Sequence, residues 1–348
     1  MRYFTVIIFW LFTIGVQGQT KSLHVADSLF SAFNYSAAAS LYTRLQCGYD
    51  SVAVFRRLAQ CYHKQGDYQS EGRTLLRIPA DSLTHNDMRQ LYYAHSYTQD
   101  SMAMEIWGRR ILQQYPYDAD IITSVAADLM QKNKIDSARQ LTMRYLETDT
   151  TNFNVWHQYA YSCYLLGDYA EAQRSYLKLY RQGWKGFEVR LILGICYSEM
   201  NDDNNAYNHL VRANQMKNGR DVHVLKLLVK NCMKIGMPKE SAEYMEQAIG
   251  LSIPDSLTLS GMYNSLAEAY FYLHDYEHAI SSFQKASKCQ PTNAITYYNI
   301  AQMYSGLKDS VGMTNYYTLF LKHSSTLKDT ESNREMIEKA KAFVKKSK

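Results

Sequence analysis

Apolar residues recur along this chain in a pattern that fits pairs of amphipathic helices. The clearest stretch reads Tyr263-x-x-Leu266-Ala267-x-x-Tyr270, then a polar break at His274-Asp275-Tyr276, then Ala279-x-x-x-Phe283-x-x-Ala286 and Pro291. Spacings of three and four put these residues on one face of each helix. Weaker copies run along most of the sequence. Aligned on the place of Ala279, they give Ala38, Glu71, Met104, Ala138, Ala172, Ala206, Ser241, Ala279 and Met313. The gaps are about 33 to 35 residues, with one of about 38 before Ala279, and a period of that length marks a helical repeat array.

Turn signals sit at matching offsets: Asn34-Tyr35, Gly66-Asp67-Tyr68, Gly167-Asp168-Tyr169, Asn201-Asp202-Asp203, Gly236-Met237-Pro238 and His274-Asp275-Tyr276. Each predicts a break between two helices. Upstream, Leu58-Ala59, Tyr159-Ala160, Leu193-Gly194, Leu266-Ala267 and Ile300-Ala301 supply first-helix core contacts. One such hairpin cannot bury its apolar face alone, so it needs a neighbour and the array folds by stacking.

On these residues the chain resembles the tetratricopeptide repeat (TPR) family over residues 19–327. The copy from Ser260 to Asn293 fits best, and those from Asn152 to Lys185 and from Gly186 to Arg220 fit well. Between Asp87 and Asn152 the match is one of register more than motif, because Met104 replaces the small residue and Lys134-Ile135 replaces the Gly-Asp-Tyr turn. The resemblance implies an all-α fold, a right-handed superhelical solenoid of about nine TPR helix hairpins. Residues 328–348 are expected to cap it. There Ser332-x-x-Glu335 reads as a capping box, and Met336, Ile337, Ala340, Phe343 and Val344 form one apolar stripe among lysines.

Residues 1–18 read as a signal peptide. Arg2 precedes an apolar stretch from Tyr3 to Val16, and Val16-Gln17-Gly18 offers a small-residue cleavage site. The repeats are therefore expected outside the cytoplasm, in the periplasm or cell envelope. Membrane attachment is expected only if this stretch is retained as an anchor. A net charge of +5 over 348 residues, on an exported chain, argues against nucleic acid.

Asp-Ser followed by an apolar residue occurs at Ser28, Ser51, Ser82, Ser101, Ser137, Ser256 and Ser310, where ordinary usage gives about one. The pattern resembles the acceptor motif of a general O-glycosylation system of some Gram-negative bacteria. The alternative is that Asp and Ser simply start helices. The six cysteines, Cys47, Cys61, Cys163, Cys196, Cys232 and Cys289, read mainly as small apolar core residues. Disulfides such as Cys47 with Cys61 or Cys163 with Cys196 stay open.

Catalytic patterns are weak, and the expectation is no enzyme and no cofactor. His274 and His278 have a metal-like spacing but straddle a turn, and Asp202-Asp203-Asn204-Asn205 lacks the glycine and late Glu of a calcium loop. No metal is expected. Projected outward from their core positions, the first helices instead present polar and aromatic side chains on the inner curve. These are Arg56, Arg57, Gln60, His63, Arg89, Tyr93 and Tyr97, then His157, Gln158, Tyr161 and Tyr164, then Lys226, Lys230, Asn264, Tyr272, Tyr298 and Asn299. Rings supply contact area while Arg and Asn fix a peptide backbone or its acids. The reading is a non-enzymatic scaffold or adaptor holding a protein or peptide on its concave face. A carbohydrate-binding or sensory ectodomain is the alternative.

Overall fold

Every hairpin turn of this chain needs one residue in the left-handed region. Positive φ falls at Phe33, Gly66, Gln99 and Asn133, and again at Gly167, Asn201, Gly236, His274 and Lys308. The next residue caps the second helix in most copies. The side chains of Asn34, Asp67, Asp100, Asp168, Asp202, Asp275 and Asp309 each accept a backbone N–H of the first turn. Such a cap contributes about 1 kcal/mol. Lys134, in the stretch that matches by register, makes no side-chain cap.

A computed structural model describes residues 22–46, 51–251 and 255–347. The described residues are helical throughout their regular structure and include no strand. They fall into two compact units divided between Ser162 and Cys163. The signal-peptide reading of residues 1–18 lies outside the described residues, as do Cys47 and Pro254.

The first unit contains α1 (22–31), α2 (Tyr35–Leu45), α3 (Ser51–Gln65), α4 (Tyr68–Leu75), α5 (His85–Tyr97), α6 (Ser101–Gln114), α7 (Ala119–Gln131), α8 (Ile135–Leu146) and most of α9 (Phe153–Leu165). They pair as successive hairpins. Phe55, Ala59, Leu75, Met88, Leu91, Tyr92, Trp107 and Ile111 form one apolar cluster across α3 to α6. Glu71, at the position where Ala38 and Ala138 stand, is buried.

The second unit continues with α10 (Tyr169–Arg181), α11 (Phe187–Glu199), α12 (Asp203–Met216), α13 (Val222–Lys234), α14 (Pro238–Leu251), α15 (Ser256–Tyr272), α16 (Tyr276–Cys289), α17 (Ala294–Gly306), α18 (Ser310–His323) and α19 (Glu331–Lys346). Gly194 sets how closely α11 and α12 approach, since a methyl there would lie 2.7 Å from Leu210. The widened gap before Ala279 has a simple form. Helix α15 has 17 residues where α11, α13 and α17 have 13, so the extra residues add a turn to a first helix.

Helix α19 covers the last hairpin as expected: Ala340 is buried and Met336, Ile337, Phe343 and Val344 pack on the cluster of Tyr297, Ile300, Tyr317 and Phe320. Its start differs from the capping box read at Ser332. Thr330 is the N-cap and its hydroxyl accepts from Asn333 N–H, so the helix begins one residue before Ser332. Cys61, Cys163, Cys196 and Cys232 are buried and, like half-buried Cys289, form no disulfide among the described residues. The Cys163–Cys196 disulfide left open by the sequence is not formed.

Candidate functional site

In the first unit the arginines of the first helices are engaged within the protein. Arg56 of α3 donates from Nε to both carboxylate oxygens of Asp87 at 3.1 and 3.0 Å, from Nη2 to Asp87 at 2.9 Å, and to the Ser82 carbonyl at 2.7 Å. Asp87 is buried at the start of α5 and closes a capping box with Thr84. One hairpin on, Arg89 of α5 reaches Asp120 and lies 3.6 Å from Asp118, the N-cap of α7. His85 stands 2.7 Å from the same Asp118. Arg57 is 3.6 Å from Asp27, lies over the Phe30 ring and donates to Gln60. A guanidinium bound to a buried carboxylate is a strut between hairpins, and an incoming acidic segment would have to displace its partner.

The histidine and tyrosines of that unit divide similarly. His63 Nδ1 lies 3.0 Å from the buried Glu71 carboxylate. Burial pushes the Glu71 carboxyl up, and His63 pulls it back only in part. Tyr93 meets the buried Tyr92 ring edge-on. Tyr97 is 59 % exposed and stacks on Tyr68 with centroids 4.1 Å apart, which makes an open aromatic platform. His157 and Tyr161 lie parallel on α9, with half-buried Gln158 between them in sequence.

In the second unit Lys226 and Lys230 stand one turn apart on α13 and share a groove with α15. The groove holds about 630 Å³, with Val229, Met233, Met245 and Met262 as its apolar floor and Thr258, Ser265 and Glu268 opposite. Lys226 makes no ion pair among the described residues, and Lys230 has only a 3.5 Å contact with Glu199. This groove was not legible from motif. Its signal is the pair of lysines at i and i+4 on α13, with Met233 on the same helix, Met245 on α14 and Met262 on α15. Half-buried Asn264 lies on α15, and its buried Oδ1 has no hydrogen-bond partner.

Other predicted residues lie apart from the groove. Tyr298 packs on Phe320 and Tyr317 in the C-terminal core, beside half-buried Asn299. Tyr272 is 63 % exposed at the end of α15, against Phe271, and Tyr164 faces Tyr169. His278 is held by Asp275 at 2.8 Å, and Asp202 caps α12 through Asn205 N–H. Ser28, Ser82, Ser101, Ser137, Ser256 and Ser310 are exposed and Ser51 is half-buried. Their Asp neighbours Asp100, Asp255 and Asp309 act as N-caps, so helix initiation accounts for those three.

Hairpins that recur at a near-constant period, most with a capped second helix, and an open groove between the first helices α13 and α15 define a helical repeat scaffold. Residues 260–293 match the family model described as tetratricopeptide repeat, so the chain carries a tetratricopeptide repeat there. Among solved structures it is similar to a tetratricopeptide repeat protein from Parabacteroides merdae, at 15 % identity over 74 % of this chain and 98 % of that one, with a TM-score of 0.47. It is also similar to the C-terminal part of a TPR repeat-containing protein from Cytophaga hutchinsonii, at 16 % identity over 80 % and 99 %, with a TM-score of 0.47. A third is YrrB, titled a TPR protein with an unusual peptide-binding site, at 18 % identity over 54 % and 95 %, with a TM-score of 0.49. No curated protein matches the chain. Among the described residues no helix is long and apolar enough to cross a membrane.

Proposed function

We propose that the chain is a non-enzymatic scaffold or adaptor of the cell envelope that holds an extended polypeptide along its first helices, with the α13–α15 groove as its main contact. The observation that carries this reading is the placement of Lys226 and Lys230 over the Met233, Met245 and Met262 floor. Lys226 has no ion pair among the described residues and Lys230 only a 3.5 Å one to Glu199, so the two ammonium groups outweigh the single Glu268 of the groove and attract acids, while unbranched thioether side chains adapt to varied apolar groups. The preferred ligand is a segment that alternates acidic and apolar residues. Arg56 and Arg89, tied to buried or capping carboxylates, serve the stacking of hairpins in this reading.

The test is a photo-crosslinking residue at position 230 of the full chain in the native envelope, with and without Lys226→Glu. A polypeptide captured by the first and lost with the second supports the groove. Capture unaffected by the charge reversal rejects it. Export is tested separately: a mature N-terminus at Gln19 in the envelope fraction supports it, and a full-length chain in the cytoplasm rejects it.

A further inference from the structure

Helices α6, α7 and α8 of the first unit enclose a cleft of about 360 Å³ that the groove reading does not use. Its walls are Met104 and Leu112 of α6, Val125 and Leu129 of α7, and Leu141 of α8, with Tyr92 of α5 at its base. Tyr92 is 1 % exposed, and its hydroxyl has no hydrogen-bond partner among the described residues. A buried donor left unpaired carries its full desolvation penalty, so a group that accepts from it gains what bulk water no longer provides. Burial, with the nearby Asp128 charge, pushes the Tyr92 proton-loss equilibrium far up, so the phenol stays a donor.

The rim of the cleft is balanced. Lys132 lies 2.8 Å from Asp128 and 3.8 Å from Glu105, and Arg109 lies 3.1 Å from Glu105. Two cations and two carboxylates therefore neutralise one another. A charged ligand would lose hydration there without gaining a free counter-charge.

Helices α6 and α7 touch at Gly108, where a methyl would come within 2.9 Å of Val125 and 3.2 Å of Tyr92. One turn earlier, half-buried Met104 stands at the position that Ala138 occupies in the next hairpin. It lines both this cleft and a second hollow edged by Ser96, Ser101 and Ser124, and Tyr92 lines both as well. A long unbranched side chain in that place can swing without disturbing the backbone, and binding at this cleft requires it to swing and uncover the phenol.

We propose that this cleft binds a small uncharged amphiphile, an alkyl or aryl body of about eight to ten carbons with one leading hydroxyl or carbonyl oxygen that accepts from Tyr92. The apolar walls take the body and the phenol fixes its polar end. This site is independent of the groove on α13 and α15.

The test is calorimetric titration of the full chain with octan-1-ol, with octanoate and octylammonium as matched charged probes. Octan-1-ol is expected to bind saturably at one site, at least tenfold tighter than either charged probe. Tyr92→Phe is expected to weaken it about five- to tenfold. Leu129→Trp, at a half-buried position, fills the cleft and is expected to abolish saturable binding with helicity and melting temperature unchanged. Absence of saturable binding, equal affinity for a charged probe, or affinity unchanged in both variants would overturn the proposal.

Discussion

Arg56 and Asp87, 31 residues apart, meet through three guanidinium–carboxylate hydrogen bonds and tie the first helix of one hairpin to the first turn of the next. Asp87 is 2 % exposed in its side chain and Arg56 is 34 % exposed, so the acid is buried and the base is half in water. Burial alone would raise the Asp87 carboxyl. Its bonds to Arg56 and to the Thr84 N–H and hydroxyl outweigh that and hold it below the ordinary carboxylate range.

The pair therefore makes a stability prediction. Arg56→Met keeps the alkyl stem and leaves a buried carboxylate without its cation, which costs about 2 kcal/mol after allowance for the exposure of Arg56. Because the folded Asp87 pKa is lowered, its contribution is full above the unfolded value near 4 and fades as pH falls through the folded one. Chemical denaturation at pH 7 and pH 3 should show the Arg56→Met penalty at the first and a smaller one at the second. An equal penalty at both would show that stem packing, not charge, holds the junction.

How much of this was legible follows from where each signal lives. The hairpin period showed because Leu266, Ala267, Tyr270, Ala279 and Phe283 are each constrained by local packing. The Arg56 strut was harder to see, because an arginine on a first helix reads as a free surface cation until its register partner is known. The repeat does carry that information: Arg56 precedes Asp87, and Arg89 precedes Asp120, by 31 residues each. The cleft at Tyr92 had no motif, since it arises from the spacing of α6 against α7. Met104, which breaks the small-residue rule at the alignment position, was its only trace.

The turns were partly hidden because the left-handed position does not always hold glycine. Gly66, Gly167 and Gly236 announce it, while Gln99 and Lys308 occupy the same place at φ of 58° and 57°. A side chain there crowds the backbone, which costs about 1 kcal/mol relative to glycine. Lys308→Gly is expected to raise stability by roughly that amount, and Gly167→Ala to lower it similarly. Nothing lies within 4 Å of a methyl at Gly167, so any loss there reports backbone conformation alone. Equilibrium denaturation of both variants checks the pair, and changes of the same sign would refute the assignment.

Buried thiols provide a reading of how tightly the hairpins stay stacked. Burial pushes the Cys196 and Cys232 thiols up to about 12, and both are fully buried in the second unit. A thiol that cannot ionise or be reached does not alkylate. Iodoacetamide at pH 8 should leave both unmodified in the native protein and label both in urea. Rapid native labelling of either would mean that its hairpin opens readily.

His209 of α12 predicts how the second unit responds to acid. Its ring stacks with Tyr197 at 5.5 Å and meets Tyr180 edge-on at 5.8 Å, and its Nδ1 is buried without a partner. Burial, with the Arg190 charge, pushes its pKa down to about 4. The unfolded chain holds a proton on this ring below about 6.5, whereas the folded chain refuses one until about 4. Between those values the unfolded state binds more protons, so stability falls as pH is lowered through that window and levels off beneath it. Carboxylates such as Asp87 lose their contribution mainly lower down, which separates the two effects. His209→Phe keeps an aromatic ring against Tyr180 and Tyr197 and removes the titration. It is expected to flatten the stability profile between pH 6.5 and 4, measured by urea denaturation. A profile as steep as that of the unaltered chain would place the acid sensitivity elsewhere.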